Sequence, residues 1–162
     1  MLVGVIADSH DHMERIKQAI HILGQRQITT VIHAGDYIAP FALIPFVEAG
    51  FGFYAVFGNN DGEIEGLRRM AEPIGGIRTG PYRFEIDGKR FLLNHVPLSD
   101  EQLAAERSRS DFVIVGHTHI VEHRRLGDLS IINPGELCGW LKGRATFAIL
   151  NVASGELDLV DL

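Results

Sequence analysis

The chain places imidazole, carboxylate and carboxamide side chains just past a series of apolar runs. Phe112-Val113-Ile114-Val115 leads into Gly116-His117-Thr118-His119, where two imidazoles sit two residues apart. On a regular strand, residues i and i+2 face the same side, so this spacing predicts that both rings address one site. Gly116 frees the backbone to turn or approach closely just before them. Imidazole is the commonest side-chain metal ligand, and a convergent pair suggests a metal more than an acid–base couple. The apolar run 2–7 ends in Asp8 and His10, and Val31-Ile32 runs into His33-Ala34-Gly35-Asp36. Residues 53–57 run into Gly58-Asn59-Asn60-Asp61, and 90–93 into Asn94-His95. Asp8, His10, Asp36, Asn59, His95, His117 and His119 thus form a mixed oxygen–nitrogen donor set without sulfur. Such a set suits manganese, iron, zinc, nickel or cobalt better than calcium or magnesium, which take oxygen alone. Seven donors exceed one tetrahedral zinc but serve two ions that share a bridging carboxylate.

Elements must bring these distant residues together. Residues 2–7 are a continuous apolar run of strand length, closed by Asp8-Ser9-His10-Asp11, with Ser9 or Asp11 placed to cap the next element. Met13, Ile16, Ala19, Ile20 and Leu23 recur at helical spacing, with His21 beside the stripe as a packed or partly exposed helix residue. A second strand over 29–32 completes a right-handed β-α-β unit with parallel strands. A short helix over 40–48, a strand over 53–57 and a further helix come next. For that helix Asp61 is the expected cap and Ile64, Leu67, Met70 and Ala71 the apolar face. Asp87-Gly88 joins two alternating runs as a hairpin turn. A polar helix over 99–107 precedes the strand before His117, and strands over 121–126, 129–132, 145–152 and 156–160 complete the chain. The early half reads as β-α-β and the later half as hairpin-rich. The expectation is one α/β domain over 1–162, a two-sheet sandwich with helices outside. The carboxyl ends of parallel strands share a crevice, where the donors can converge.

At 162 residues and 46% hydrophobic, the chain is long enough to bury a proper core. A formal net charge of -6 argues against broad nucleic-acid binding, which depends on phosphate neutralisation by Lys and Arg. The single cysteine, Cys138, excludes an internal disulfide and a cysteine-rich zinc site, and suits a reducing cytoplasm. The chain has no run of membrane length, and no basic segment opens it as a signal peptide would. A cytoplasmic protein is expected.

In order, Asp8-x-His10, Gly35-Asp36, Gly58-Asn59-x-Asp61, His95 and Gly116-His117-x-His119 resemble the calcineurin-like metallophosphoesterase superfamily, over almost the whole chain. In size, and in Asn133-Pro134-Gly135, the chain is most similar to the small bacterial and archaeal phosphodiesterases of that superfamily. The resemblance implies an αββα fold, two divalent ions and phosphodiester hydrolysis by a hydroxide bridging them. It puts Asp8, His10, Asp36 and His119 on one ion, and Asp36, Asn59, His95 and His117 on the other, with Asp36 shared. Asp36, Asn59, Asn60 and His95 fall at the reacting centre, with manganese the first choice of metal and nickel, iron, zinc or cobalt the alternatives. Ions roughly 3.5–4 Å apart lower the pKa of a bridging water and stabilise charge in an in-line attack. Neutral Asn59 offers oxygen without repelling the substrate. Asp61 is expected to orient Asn59 or a neighbouring imidazole, or to cap its helix. His33 is expected to be structural or to stand behind the ligands.

The sequence also departs from the pattern. Asn60 stands where many of these phosphatases have a His that protonates the leaving group. A carboxamide cannot do so, and losing such an acid costs about 10²–10⁴-fold. Val96-Pro97 follows His95 where the subgroup reads Gly-His, and Glu136 replaces a Ser. Glu136 is expected to be a solvated loop residue, and His123, Arg124 and Arg125 an exposed polar face. Phe41, Phe46, Phe51 and Trp140 are expected in core or loop packing. The expected substrate is a small, activated phosphodiester. The alternatives are a phosphomonoesterase, or a weakly catalytic metal-binding scaffold similar to the retromer subunit of this subgroup. Pairing of an exposed hairpin edge is the expected route to a homo-oligomer.

Overall fold

Apolar runs become strands here because both of their faces are covered. The computed structural model describes residues 1–162. In chain order its strands are β1 (Leu2–Ile6), β2 (Thr30–His33), β3 (Gly52–Val56), β4 (Ile77–Arg78), β5 (Tyr82–Ile86) and β6 (Lys89–Leu93). They continue with β7 (Phe112–Ile114), β8 (Val121–Leu126), β9 (Leu129–Pro134), β10 (Thr146–Asn151) and β11 (Leu157–Asp161). The helices are α1 (Met13–Gln25), α2 (Ile44–Ala49), α3 (Ile64–Ala71) and α4 (Asp100–Glu106). One sheet runs β11-β10-β1-β2-β3-β4 and the other β5-β6-β7-β9-β8.

Between the sheets, Val3, Val5, Ile32 and Val56 meet Phe91, Leu93, Phe112, Ile114 and Ile132. The opposite face of the first sheet buries Ile6, Val31 and Phe53 under Ile16, Ala19 and Leu23 of α1 and Leu67 of α3. The opposite face of the second buries Leu92, Val113 and Ile131 under Leu103 of α4. Successive residues of β7 therefore point into two different cores, each such side chain worth roughly 1.5–3 kcal/mol when fully buried. This is the expected αββα sandwich.

The second sheet differs from a purely hairpin-built one. Both hairpins are present, with β5 antiparallel to β6 and β8 antiparallel to β9, but they flank a parallel centre, β6-β7-β9. β1, β2 and β3 are also parallel. With β4 parallel to β3, the first sheet presents four parallel carboxyl ends and the second three. The expected helix over 40–48 splits into a 3₁₀ turn, Pro40–Leu43, and α2. Pro45 has no N–H for the Phe41 carbonyl, which takes the Ile44 N–H instead. The helix caps also differ from expectation: His12 precedes α1 and Glu63 precedes α3, both without a side-chain cap bond. Only α4 carries a full capping box, Ser99 with Gln102.

Candidate metal centre

All seven donors lie in loops after β1, β2, β3, β6 and β7, and backbone bonds stitch those loops together. Asp8 N–H donates to Gly35 O (3.1 Å), His10 N–H to Asp36 O (3.0 Å) and Gly116 N–H to His95 O (2.9 Å). Asn133 Nδ2 on β9 holds the histidine loop through Gly116 O (2.9 Å) and Thr118 Oγ1 (3.0 Å). Asp8, His10, Asp36, His117 and His119 all have left-handed backbones, with φ of 51°, 42°, 60°, 68° and 60°. Non-glycine residues rarely occupy that region, and strain gathered at one place is characteristic of functional sites. It also corrects the strand-face expectation for His117 and His119. β7 ends at Ile114, and it is the left-handed turns that send the two rings to adjacent positions rather than to one.

Ligand atoms of Asp8, His10, Asp36 and His119 lie within 4.8 Å of one another. His10 Nε2 is 3.5 Å from Asp36 Oδ2 and 3.9 Å from Asp8 Oδ1, and His119 Nε2 is 3.5 Å from Asp8 Oδ1. These separations are too long for good hydrogen bonds, and His10 Nε2 is buried with no hydrogen-bond partner. A cation between the rings and carboxylates would satisfy all of them. In the second group, Asn59 Oδ1 is 2.8 Å from both His95 Nε2 and His117 Nδ1, while His95 Nε2 is 3.5 Å from Asp36 Oδ2. His95 Nδ1 sits 2.7 Å from Ala34 O. A neutral His95 donating there turns its Nε2 lone pair toward two oxygen acceptors, again an arrangement that suits a cation. The residues fit divalent ions, with Asp36 common to both groups.

Burial, with the nearby Asp36 and Glu136 charges, pushes the Asp8 carboxyl up to about 7, against the opposing pull of His119 and the His117 amide. Burial also lowers His10 and His95, against the pull of Asp36. Their neutral form is the one that ligates a metal.

Asp61 neither caps α3 nor touches Asn59 or an imidazole. Its Oδ1 accepts N–H from Tyr37 (2.7 Å) and Ile38 (2.9 Å), and its Oδ2 from Asp36 (3.1 Å) and Gly58 (2.7 Å). It therefore shapes the loop that carries Asp36, where Ile38 is strained at φ 86°. A Cβ on Gly58 would collide with Asp36 Oδ1 and N, so only glycine lets these two loops meet. His33 is fully buried off the donor cluster, near Ser9 Oγ (3.2 Å) and accepting Gly35 N–H (3.2 Å). Asp11 accepts Ala39 N–H instead of capping α1. Asn60 donates its backbone N–H to Asp36 Oδ1 (2.9 Å) and its side-chain Nδ2 to Asp36 Oδ2 (2.8 Å).

Glu136 is not a solvated loop residue. It is buried, with Oε2 2.6 Å from His119 Nδ1. Burial opposes its charge, but bonds from His119, Lys142 and Leu141 outweigh that and hold it below the usual carboxylate range. Cys138 Sγ also lies near His10 and His119, yet burial raises its thiol to about 12 and keeps it protonated. Phe46 and Phe51 are core, whereas Trp140 is 61% exposed over His10 and His12, with Ile120 and Leu141 also exposed. His123, Arg124 and Arg125 are exposed as expected. A surface cleft of about 600 Å³ beside Arg68, Arg69 and Arg78 contains none of the donors. No helix is long and apolar enough to cross a membrane.

The chain matches known proteins along its length. Residues 1–155 match the family model of the calcineurin-like phosphoesterase superfamily domain. A phosphodiesterase of Methanocaldococcus jannaschii is 35% identical over 159 residues, 96% of each chain. The structure of a novel archaeal phosphodiesterase superposes with a TM-score of 0.90 at 33% identity, covering 100% of both chains. Zinc-complexed Vps29 from Entamoeba histolytica shares the fold, with a TM-score of 0.67 at 20% identity over 100% of this chain and 98% of that one. On the family match and these near full-length relatives together, the chain belongs to the calcineurin-like phosphoesterase superfamily.

Proposed function

We propose that this protein is a phosphodiesterase whose loops hold two divalent ions, manganese first among them. In this reading Asp8, His10, Asp36 and His119 hold one ion, and Asp36, Asn59, His95 and His117 hold the other. The observation that carries it is His10 Nε2, buried without a hydrogen-bond partner and facing the carboxylates of Asp8 and Asp36. Divalent ions, when bound, lower the pKa of water and polarise phosphoryl oxygens. The chain supplies the rest. His95 keeps Nε2 free by donating Nδ1–H to Ala34 O. Asn59 and His117 are exposed whereas Asp8 and His119 are buried, so the phosphoester enters from the side of Asn59 and His117. Asn60 ties down Asp36 and has no proton to give, so the departing oxygen leaves unassisted. Activated aryl diesters are therefore the substrate class that fits. The acidic surface supports a small substrate over a nucleic-acid strand, and the lone buried thiol suits the cytoplasm.

The test is hydrolysis of an aryl phosphodiester by metal-stripped protein reloaded with manganese, nickel, zinc or magnesium, beside Asp36→Ala and His117→Ala. Turnover should return with metal and fall at least about 100-fold in both variants. Aryl diesters should outpace alkyl diesters by about 10²-fold or more, and equal rates would sink the missing-acid argument. Faster cleavage of monoesters than diesters would make it a phosphomonoesterase. Binding of metal without any turnover would favour a scaffold role, a reading that the exposed Ile120, Trp140 and Leu141 beside the centre also fit.

A further inference from the structure

Glu136 is a buried carboxylate that no Lys or Arg side chain pairs with, which is costly unless something compensates its charge. Its Oε1 accepts the Lys142 N–H, and its Oε2 the Leu141 N–H at 3.0 Å, so the loop backbone fixes the plane of the carboxylate. The only ring it meets is His119, at 2.6 Å from Nδ1. We propose that Glu136 is a positioning residue that fixes the tautomer and angle of His119 so that Nε2 is presented to the metal held with Asp8 and His10.

The proposal rests on the two-ion reading. A carboxylate only accepts hydrogen bonds, so in the neutral ring that ligates a metal Nδ1 carries the proton and Nε2 the lone pair. That lone pair points toward Asp8 Oδ1, 3.5 Å away, leaving room for an ion between two acceptors. The negative partner also raises the basicity of the ring as a ligand, and loss of such a partner typically weakens metal binding about 10–100-fold. Because Glu136 also anchors the amides of Leu141 and Lys142, the same carboxylate sets the loop that carries Trp140 over His10.

Two variants separate this role from simple loop support. E136Q keeps the shape but replaces one oxygen with NH₂, so His119 loses its charged partner in either orientation of the amide. E136S removes the partner and leaves space for water. Manganese affinity would be measured by competition with a chromophoric chelator, and the His119 tautomer by ¹⁵N NMR of the metal-free protein. Both variants should bind the first manganese about 10–100-fold more weakly than wild type, and E136S should show mixed His119 tautomers where wild type shows Nδ1–H alone. Unchanged affinity with only a lower melting temperature would reduce Glu136 to a loop anchor and overturn the proposal. So would a metal-free wild type with its proton on Nε2. If the wild type itself binds no manganese, the two-ion reading fails first, and the tautomer still decides the role of Glu136.

Discussion

Asp8 has no exposed surface, and its hydrogen bonds come from the His117 amide, at 3.3 and 3.0 Å. Without a cation its charge is under-compensated, which is why the carboxyl rises to about 7. An unfolded aspartate titrates near 3.9, so the folded metal-free protein holds the proton more tightly than the unfolded chain. Its contribution to stability is therefore present below about pH 4 and is lost as pH climbs toward 7. Asp8→Asn should raise the stability of chelator-treated protein at pH 8 by roughly 1–3 kcal/mol, with the difference fading by pH 4, while metal affinity falls. Urea denaturation at the two pH values checks this, and a variant less stable than wild type at pH 8 would contradict it. The donors themselves were legible in the sequence, because each follows an apolar run at a strand end. Glu136 was not, because its role depends on which amides and which ring the fold presents to it.

Loops and strands divide the work at the next scale. Asp61 joins the loop after β3 to the loop after β2 by four backbone bonds, two to each oxygen. In Asp61→Asn one of those oxygens becomes an NH₂ facing two N–H groups. We expect a loss of about 2–4 kcal/mol from the buried donors left unpaired, together with weaker manganese binding as Asp36 shifts. Chemical denaturation and a metal titration read the two effects, and a variant equal to wild type in both would remove Asp61 from this role. Ten of the eleven strands were legible to within about two residues, since runs such as 112–115 are apolar on both faces, whereas the two-residue β4 is too short to leave a pattern. The Asp87-Gly88 turn was legible for its local chemistry. The parallel pairing of β6, β7 and β9 was not, because α4 intervenes in the first case and β8 in the second. Pairing at such distance is set by packing rather than by local pattern.

At the scale of the whole molecule, the two sheets bring the carboxyl ends of β1, β2, β3, β6 and β7 together, and the candidate centre is what they share. Its donors come from loops of both sheets, so an ion bound there would join the layers as well as serve chemistry. The αββα arrangement was legible from the succession of helical and alternating patterns, and the convergence of its loops from the crevice that parallel carboxyl ends share, but the division of the donors between two ions rested on the family resemblance. Trp140 adds a consequence of another kind. It is the only tryptophan in the chain, and its ring centroid lies 5.5 Å from that of His12 and 6.3 Å from that of His10. All of the protein's indole emission therefore originates beside the candidate ions. Cobalt or nickel added to metal-free protein should quench that fluorescence, and the break point of the titration should read their stoichiometry. Zinc, which has no unpaired electrons, should quench it far less. Emission blind to all three would mean that the ions bind elsewhere.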